Sequence, residues 1–388
     1  MNPIDYLDPT DATPHPRSII NSSSFYNKVI FCDNHKKFLD ISSDDIVIMG
    51  IPESRNSINP DANNAVNAIR SYLYCLSANS FRTKIFDAGN LKFTKTPSDT
   101  YAATRDLTEY FFSKNIHLII LGGTQELTIP IYQGVSNCKS GINISLVDSR
   151  IDIGSDEHDF SSTGYLQKIV SDPIQKLFNL SIIGYQGYLT DSKHLDIVSK
   201  NKHEALRLGF VRGNFNEVEP VLRDSDIISF DMGAIRNSDC PGNILASPNG
   251  LYAEEGCQLA RYSGLNERNK LFGIFEYNPG NDPGGQGAHL AAQLVWHYIE
   301  ARNQKPIPTF SKNEKEIKKF IVNIGPPETE LVFYKNLSSD SWWIEVPVNK
   351  KYSYPENITI IACSYSDYQT ASKHEFPDRW FRFLSKLS

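Results

Sequence analysis

Short, nearly unbroken apolar runs recur along the chain, and they constrain the fold more than any other feature. They are Ile46–Ile51, Ile116–Leu121, Ile142–Val147, Leu180–Gly184, Ile227–Phe230 and Leu271–Phe275. A strand with one solvated face alternates polar and apolar residues; a strand buried on both faces does not. These runs therefore predict strands of an internal sheet. The segments Ser98–Lys114, Glu254–Leu265 and Gly287–Arg302 have helical spacing and lie between or after them. Alternation of strand and helix predicts a parallel α/β sheet with right-handed crossovers.

The residues just past each run carry the functional signal. Ile116–Leu121 leads into Gly122-Gly123-Thr124-Gln125-Glu126, and Ile142–Val147 into Asp148-Ser149-Arg150-Ile151-Asp152. Ile227–Phe230 leads into Asp231-Met232-Gly233, and Leu271–Phe275 into Glu276-Tyr277-Asn278-Pro279. Four strands thus deliver polar groups at their carboxyl ends, the edge where open α/β sheets bind ligands. Any one of these acids alone could be a helix cap or a loop residue.

From about Lys312 the pattern changes to Lys319–Ile324, Leu331–Tyr334, Trp342–Val348 and Ile358–Cys363, with Pro- and Ser-bearing turns between them. This predicts a small β-rich C-terminal module over residues 311–388. Trp380–Leu387 closes it as a helix or an aromatic tail. The remaining boundaries are an N-terminal extension over 1–44 and the α/β domain over 45–310. The aromatics Tyr334, Trp342, Trp343, Trp380 and Phe381 either pack the module onto the domain or form a partner surface.

Composition excludes several classes. Of 388 residues, 40% are hydrophobic and 22% charged, enough apolar material for a sizeable core. Net charge is −6, and the longest basic cluster, Lys315–Lys319, reads as a solvated helix face, so no nucleic-acid partner is expected. No apolar run approaches membrane-spanning length, and the acidic N-terminus lacks a signal core, so a cytoplasmic protein is expected. The six cysteines, none in a C-x-x-C pair, read as reduced thiols.

In order along the chain, these strand ends resemble the motifs of the ureohydrolase superfamily of arginase, agmatinase and formiminoglutamase, the last being the nearest branch. Gly50-Ile51-Pro52 and Ala68-Ile69-Arg70 stand where the family has G-I-P and A-I-R. Gly122–Gln125 stands for G-G-x-H, Asp148–Asp152 for D-A-H-x-D, and Ser229–Gly233 for S-x-D-x-D. Gly250-Leu251-Tyr252 with Glu255 stands for G-L-x-x-x-E, and Glu276–Pro279 for E-x-N-P. The resemblance implies an arginase-like three-layer α/β/α fold with a mostly parallel sheet, and a homo-oligomer. It also implies hydrolysis of a guanidino or formimino C–N bond by a hydroxide held between two manganese ions, bound by two histidines and four aspartates. A carboxylate at the fourth strand end, here Glu276 with Asn278 nearby, would contact the cationic substrate.

This chain departs from that pattern at three of the six ligand positions. Asp148, Asp152 and Asp231 remain, but Gln125 and Arg150 replace the histidines and Gly233 replaces an aspartate. The family's proton-transferring loop histidine has no match in Ser161–Gln167; His158 lies nearby, out of position. Arginine keeps its proton and offers no lone pair to a metal. The expectation is therefore a non-catalytic binding, regulatory or assembly protein without a metal cofactor. In it, the Arg150 guanidinium would sit among Asp148, Asp152, Asp231 and Glu276 as a fixed cation. A small amidine-like or anionic ligand, or a protein partner, would be its target. The alternative is an active amidinohydrolase with an altered, mononuclear manganese site on Asp148, Asp152 and Asp231. Two other places remain open: the acidic run Asp156–Asp159, and the glycine-bearing turn Asn278–Gly287, which could cradle a ligand carboxylate. Cys240 is a weak candidate nucleophile.

Overall fold

The computed structural model describes residues 3–16, 19–33, 35–79, 81–154, 161–172, 176–304, 307, 310, 316–325, 329–348 and 358–387. Among the described residues, fourteen strands form two sheets. The first contains β1 (Leu7–Asp8), β2 (Ile30–Phe31), β3 (Ile46–Gly50), β4 (Ile85–Leu91), β5 (His117–Leu121), β6 (Ile142–Val147), β7 (Leu177–Tyr185), β8 (Glu204–Arg207), β9 (Ile227–Asp231) and β10 (Leu271–Phe275). Its order is β1-β4-β3-β5-β10-β9-β6-β7-β8, with β2 also on β4. Every pairing is parallel except β1 on β4.

The apolar runs are these central strands. All residues of β3, β5, β6, β9 and β10 are buried, as strands covered on both faces must be. Two apolar clusters lie on the two faces, one against the helices Ala65–Leu73, Ala253–Leu265 and Gln286–Asn303, the other against Pro97–Ser113 and Thr128–Cys138. This is a three-layer α/β/α arrangement. The helix Pro97–Ser113 starts where local chemistry dictates: Pro97 follows the cap Thr96, whose hydroxyl and Asp99 bond each other's backbone amides. The segment before residue 45 is tied to the sheet through β1 and β2.

The second sheet is antiparallel, β11 (Ile317–Asn323), β12 (Glu330–Asn336), β13 (Trp342–Pro347) and β14 (Ile358–Cys363), in that order. Asp378–Leu387 is a helix on it, not a tail. Lys318 and Lys319 belong to β11, so the expected helical face there is a strand, paired residue for residue with β12. Tyr334, Trp342, Trp343 and Trp380 are buried, and of these aromatics only Phe381 is exposed. The joint to the main domain is polar and specific. Arg223 donates to Trp342 O and Cys363 O, and Arg379 donates to Ala362 O, Pro220 O and Asp224. No helix among the described residues is long and apolar enough to cross a membrane.

Candidate functional site

The strand order places β5, β10, β9 and β6 side by side, so the four polar strand ends converge at one edge. Asp148, Asp152 and Asp231 are brought together: one carboxylate oxygen of each lies within 4.8 Å of the others. Glu276 lies beside them with backbone φ of +62°, a left-handed conformation rare outside glycine and frequent at functional sites. Gly122 and Gly123 bend the chain after β5 with φ of +73°; a Cβ on Gly123 would meet Ile51 O at 2.6 Å.

Each carboxylate has a defined set of partners. Asp148 Oδ1 accepts from Arg150 N at 2.8 Å, while its Oδ2 is buried without a donor among the described residues. Asp231 Oδ1 accepts from Gly233 N at 2.6 Å and weakly from Asn243 Nδ2 at 3.4 Å. Glu276 Oε1 accepts from Gln125 N at 2.8 Å, and its Oε2 from Asn59 Nδ2 at 2.5 Å and Ser57 Oγ at 3.2 Å. Gln125 thus serves the site through its backbone; its side-chain Oε1 is buried without a donor.

Burial dominates the electrostatics. It raises the carboxyl of Asp148 well above the usual range, reinforced by Asp152 and Asp231. Asp152 rises to about 7, from burial and then Glu276. Asp231 is pushed well up by the same two causes. Burial also raises Glu276, against its hydrogen bonds from Asn59, Gln125 N and Ser57. Buried together, these carboxyls are all shifted toward their protonated forms.

Arg150 corrects the expectation of an internal salt bridge. It forms no ion pair among the described residues, although its charge still lowers Asp152 and Asp231 from a distance. Its guanidinium reaches Leu189 O at 3.5 Å, and its Nε is buried without an acceptor among the described residues. Only the backbone N–H of Arg150 meets Asp148; its guanidinium is directed to the Leu189 carbonyl instead.

Other expected sites have ordinary structural roles. Asn278 is a turn former, accepting from Gly280 N at 3.1 Å, and does not line the acid cavity. The glycine-bearing turn cradles no ligand carboxylate, because Asp282 already accepts from Gln286 N and Gly287 N at the start of the helix Gln286–Asn303. Burial pushes the Cys240 thiol up to about 12, which removes it as a nucleophile. All six cysteines are free thiols. Asp156–Asp159, with His158, lie outside the described residues. The A-I-R arginine, Arg70, is wholly buried and bidentate on Asp87 at 2.8 and 2.9 Å, a structural role.

Sequence reasoning missed Asn59, Asn243, Ser57, Glu126 and Tyr165. Glu126 accepts from Thr124 Oγ1 at 2.5 Å, and its carboxyl is raised to about 8 by burial and then Glu276. Tyr165, wholly buried, has no partner for its hydroxyl among the described residues. Only Glu126, next to Gln125, carried a sequence signal; the others are loop residues brought in by the fold.

The cavity above the acids measures about 20 Å³ and is lined by Ile58, Asn59, Asp152, Asp231, Asn243 and Glu276 among others. That volume holds about one water or one ion. A cavity of about 520 Å³, lined by Lys176, His203 and Lys386, opens instead at the amino ends of β6 and β7, the opposite edge of the sheet.

A sequence profile of the arginase family matches residues 44–300. The formimidoylglutamase of Bacillus subtilis (strain 168) is 20% identical over 279 residues, 67% of this chain and 88% of that protein. Its crystal structure superposes with a TM-score of 0.67, covering 76% of this chain and 98% of that one, at 18% identity. A Trypanosoma cruzi formiminoglutamase solved with Mn²⁺ superposes with a TM-score of 0.63, covering 68% and 95%, at 18% identity. The described fold and these likenesses agree on the arginase-like architecture; the C-terminal sheet lies beyond the profile match.

Proposed function

The chain belongs to the arginase family, and from that premise we propose that it is a non-hydrolytic member whose metal site has become a closed, proton-neutralised acid cluster. Its role is then binding, regulation or assembly. One observation carries the reading: the space over the strand ends is about 20 Å³, too small for an amino-acid-sized amidine. The substitutions agree with it. Gln125, Arg150 and Gly233 stand where the family resemblance places half of the ligands for two manganese ions, so the residues present do not fit that pair. The test is metal analysis together with turnover of formiminoglutamate. The reading expects neither stoichiometric manganese nor turnover above background, and it fails if both are found.

A second reading is favoured by the orphaned oxygens. Asp148 Oδ2 has no donor, and one oxygen from each of three carboxylates falls within 4.8 Å of the others. Asp148, Asp152 and Asp231, with Gln125 Oε1 as a neutral oxygen donor, would suit one hard cation. Such a cation would lower the pKa of a bound water. On this reading Asp231→Ala abolishes both binding of one manganese and any formimino or guanidino hydrolysis. Activity surviving that change contradicts it.

A further inference from the structure

The volume of the missing ligand is occupied. A Cβ built on Gly233 would lie 2.7 Å from Asn243 Nδ2, 3.0 Å from Asp231 Oδ1 and 3.2 Å from Asn243 Cγ. The first distance is shorter than real Cβ contacts come in a packed interior, and the other two require the neighbours to give way. The amide cannot easily step aside. Its Nδ2 donates to Glu276 O at 3.0 Å, its Oδ1 accepts from Leu245 N at 2.8 Å, and its own N donates to Pro241 O at 2.9 Å. The loop carrying it is tied across the site. Asn59 Oδ1 accepts from Ile244 N at 2.9 Å, while Asn59 Nδ2 saturates Glu276 Oε2. Both asparagines are buried.

We propose that Asn243, its loop held by Asn59 through Ile244 N, is a built-in plug that excludes a side chain at position 233, while Asn59 occupies the Glu276 oxygen that would meet a cationic ligand. Asn59 Nδ2 supplies Glu276 with the donor that such a ligand would bring. This rests on the non-hydrolytic reading and deepens it. Restoring the three lost ligands alone therefore leaves the site closed; Asn243 has to shrink as well.

The test is a double-mutant cycle on the full chain, read as thermal midpoints. Gly233→Ala adds only the clashing carbon and lowers the midpoint by roughly 3 °C or more. Asn243→Ala also lowers it, by removing the amide's bonds. The double variant loses clearly less than the sum of the two single losses, because the amide clash has gone and only the Asp231 Oδ1 contact remains. Simple additivity of the two losses overturns the proposal. If Asn243→Ala does not fold, Asn243→Ser completes the same cycle. A second readout is manganese stoichiometry by equilibrium dialysis. Gln125→His, Arg150→His and Gly233→Asp together should take up two manganese ions per chain only when Asn243→Ala is added. Two ions bound with Asn243 intact overturns the plug. Manganese in the unaltered chain instead contradicts the non-hydrolytic reading, so the two failures are distinguishable.

Discussion

Two buried acid clusters in this molecule solve the same problem in opposite ways. At the joint with the C-terminal sheet, Glu204 and Asp224 are met by arginines: Arg379 Nη2 to Asp224 at 2.9 Å, Arg382 Nη2 to Glu204 at 2.7 Å and Arg379 Nη1 to Glu204 at 3.4 Å. Burial alone would raise Glu204, but Arg382 and Arg379 outweigh it and hold its carboxyl below the usual range. At the strand ends, Asp148, Asp152 and Asp231 have an arginine in their own motif that makes no ion pair with them, and burial wins. Proximity in sequence therefore does not neutralise a buried acid. A bonded cation does, and without one the site takes up protons.

The largest test of this contrast is Arg379→Ala. It strips four acceptors, two of them carboxylates, and leaves buried charge unpaired, at a cost on the order of 3–5 kcal/mol in thermal or denaturant unfolding. A loss below about 1 kcal/mol would mean that the joint is solvated in solution.

The second is pH dependence, where the clusters have opposite signs. Asp152 has a folded value raised to about 7, so its contribution is fully present below the ordinary carboxylate range and is lost as pH rises through 7. Glu204 is lowered, so its contribution is present above the ordinary range and is lost on acidification. Asp152→Asn should stabilise the chain at pH 8 by on the order of 2 kcal/mol and change little at pH 4. Destabilisation at pH 8 would indicate that a cation compensates Asp152.

The smallest effect belongs to Arg150→Met. With no ion pair to lose, it should shift stability by under about 1 kcal/mol. A cost as large as that of Arg379→Ala would restore the internal salt bridge that sequence reasoning expected.

Much of the fold was legible because strands buried on both faces leave unbroken apolar runs. β4 was not, since Asp87 and Asn90 interrupt it. Asp87 is tolerated only because Arg70, Tyr74 and Gly89 N all bond it. The acids at the strand ends were legible for the same reason as the strands. Asn59 and Asn243 were not, because a loop asparagine looks like any turn former until the fold sets it against Glu276. Arg150 misled because sequence gives its distance from Asp148 but not the direction of its side chain.

The proposed function requires that protons, and not metal ions, neutralise Asp148, Asp152 and Asp231. Calorimetric titration of the metal-stripped full chain with manganese at pH 7 tests it most directly. The account predicts no stoichiometric uptake; tight binding of two manganese ions per chain would contradict it.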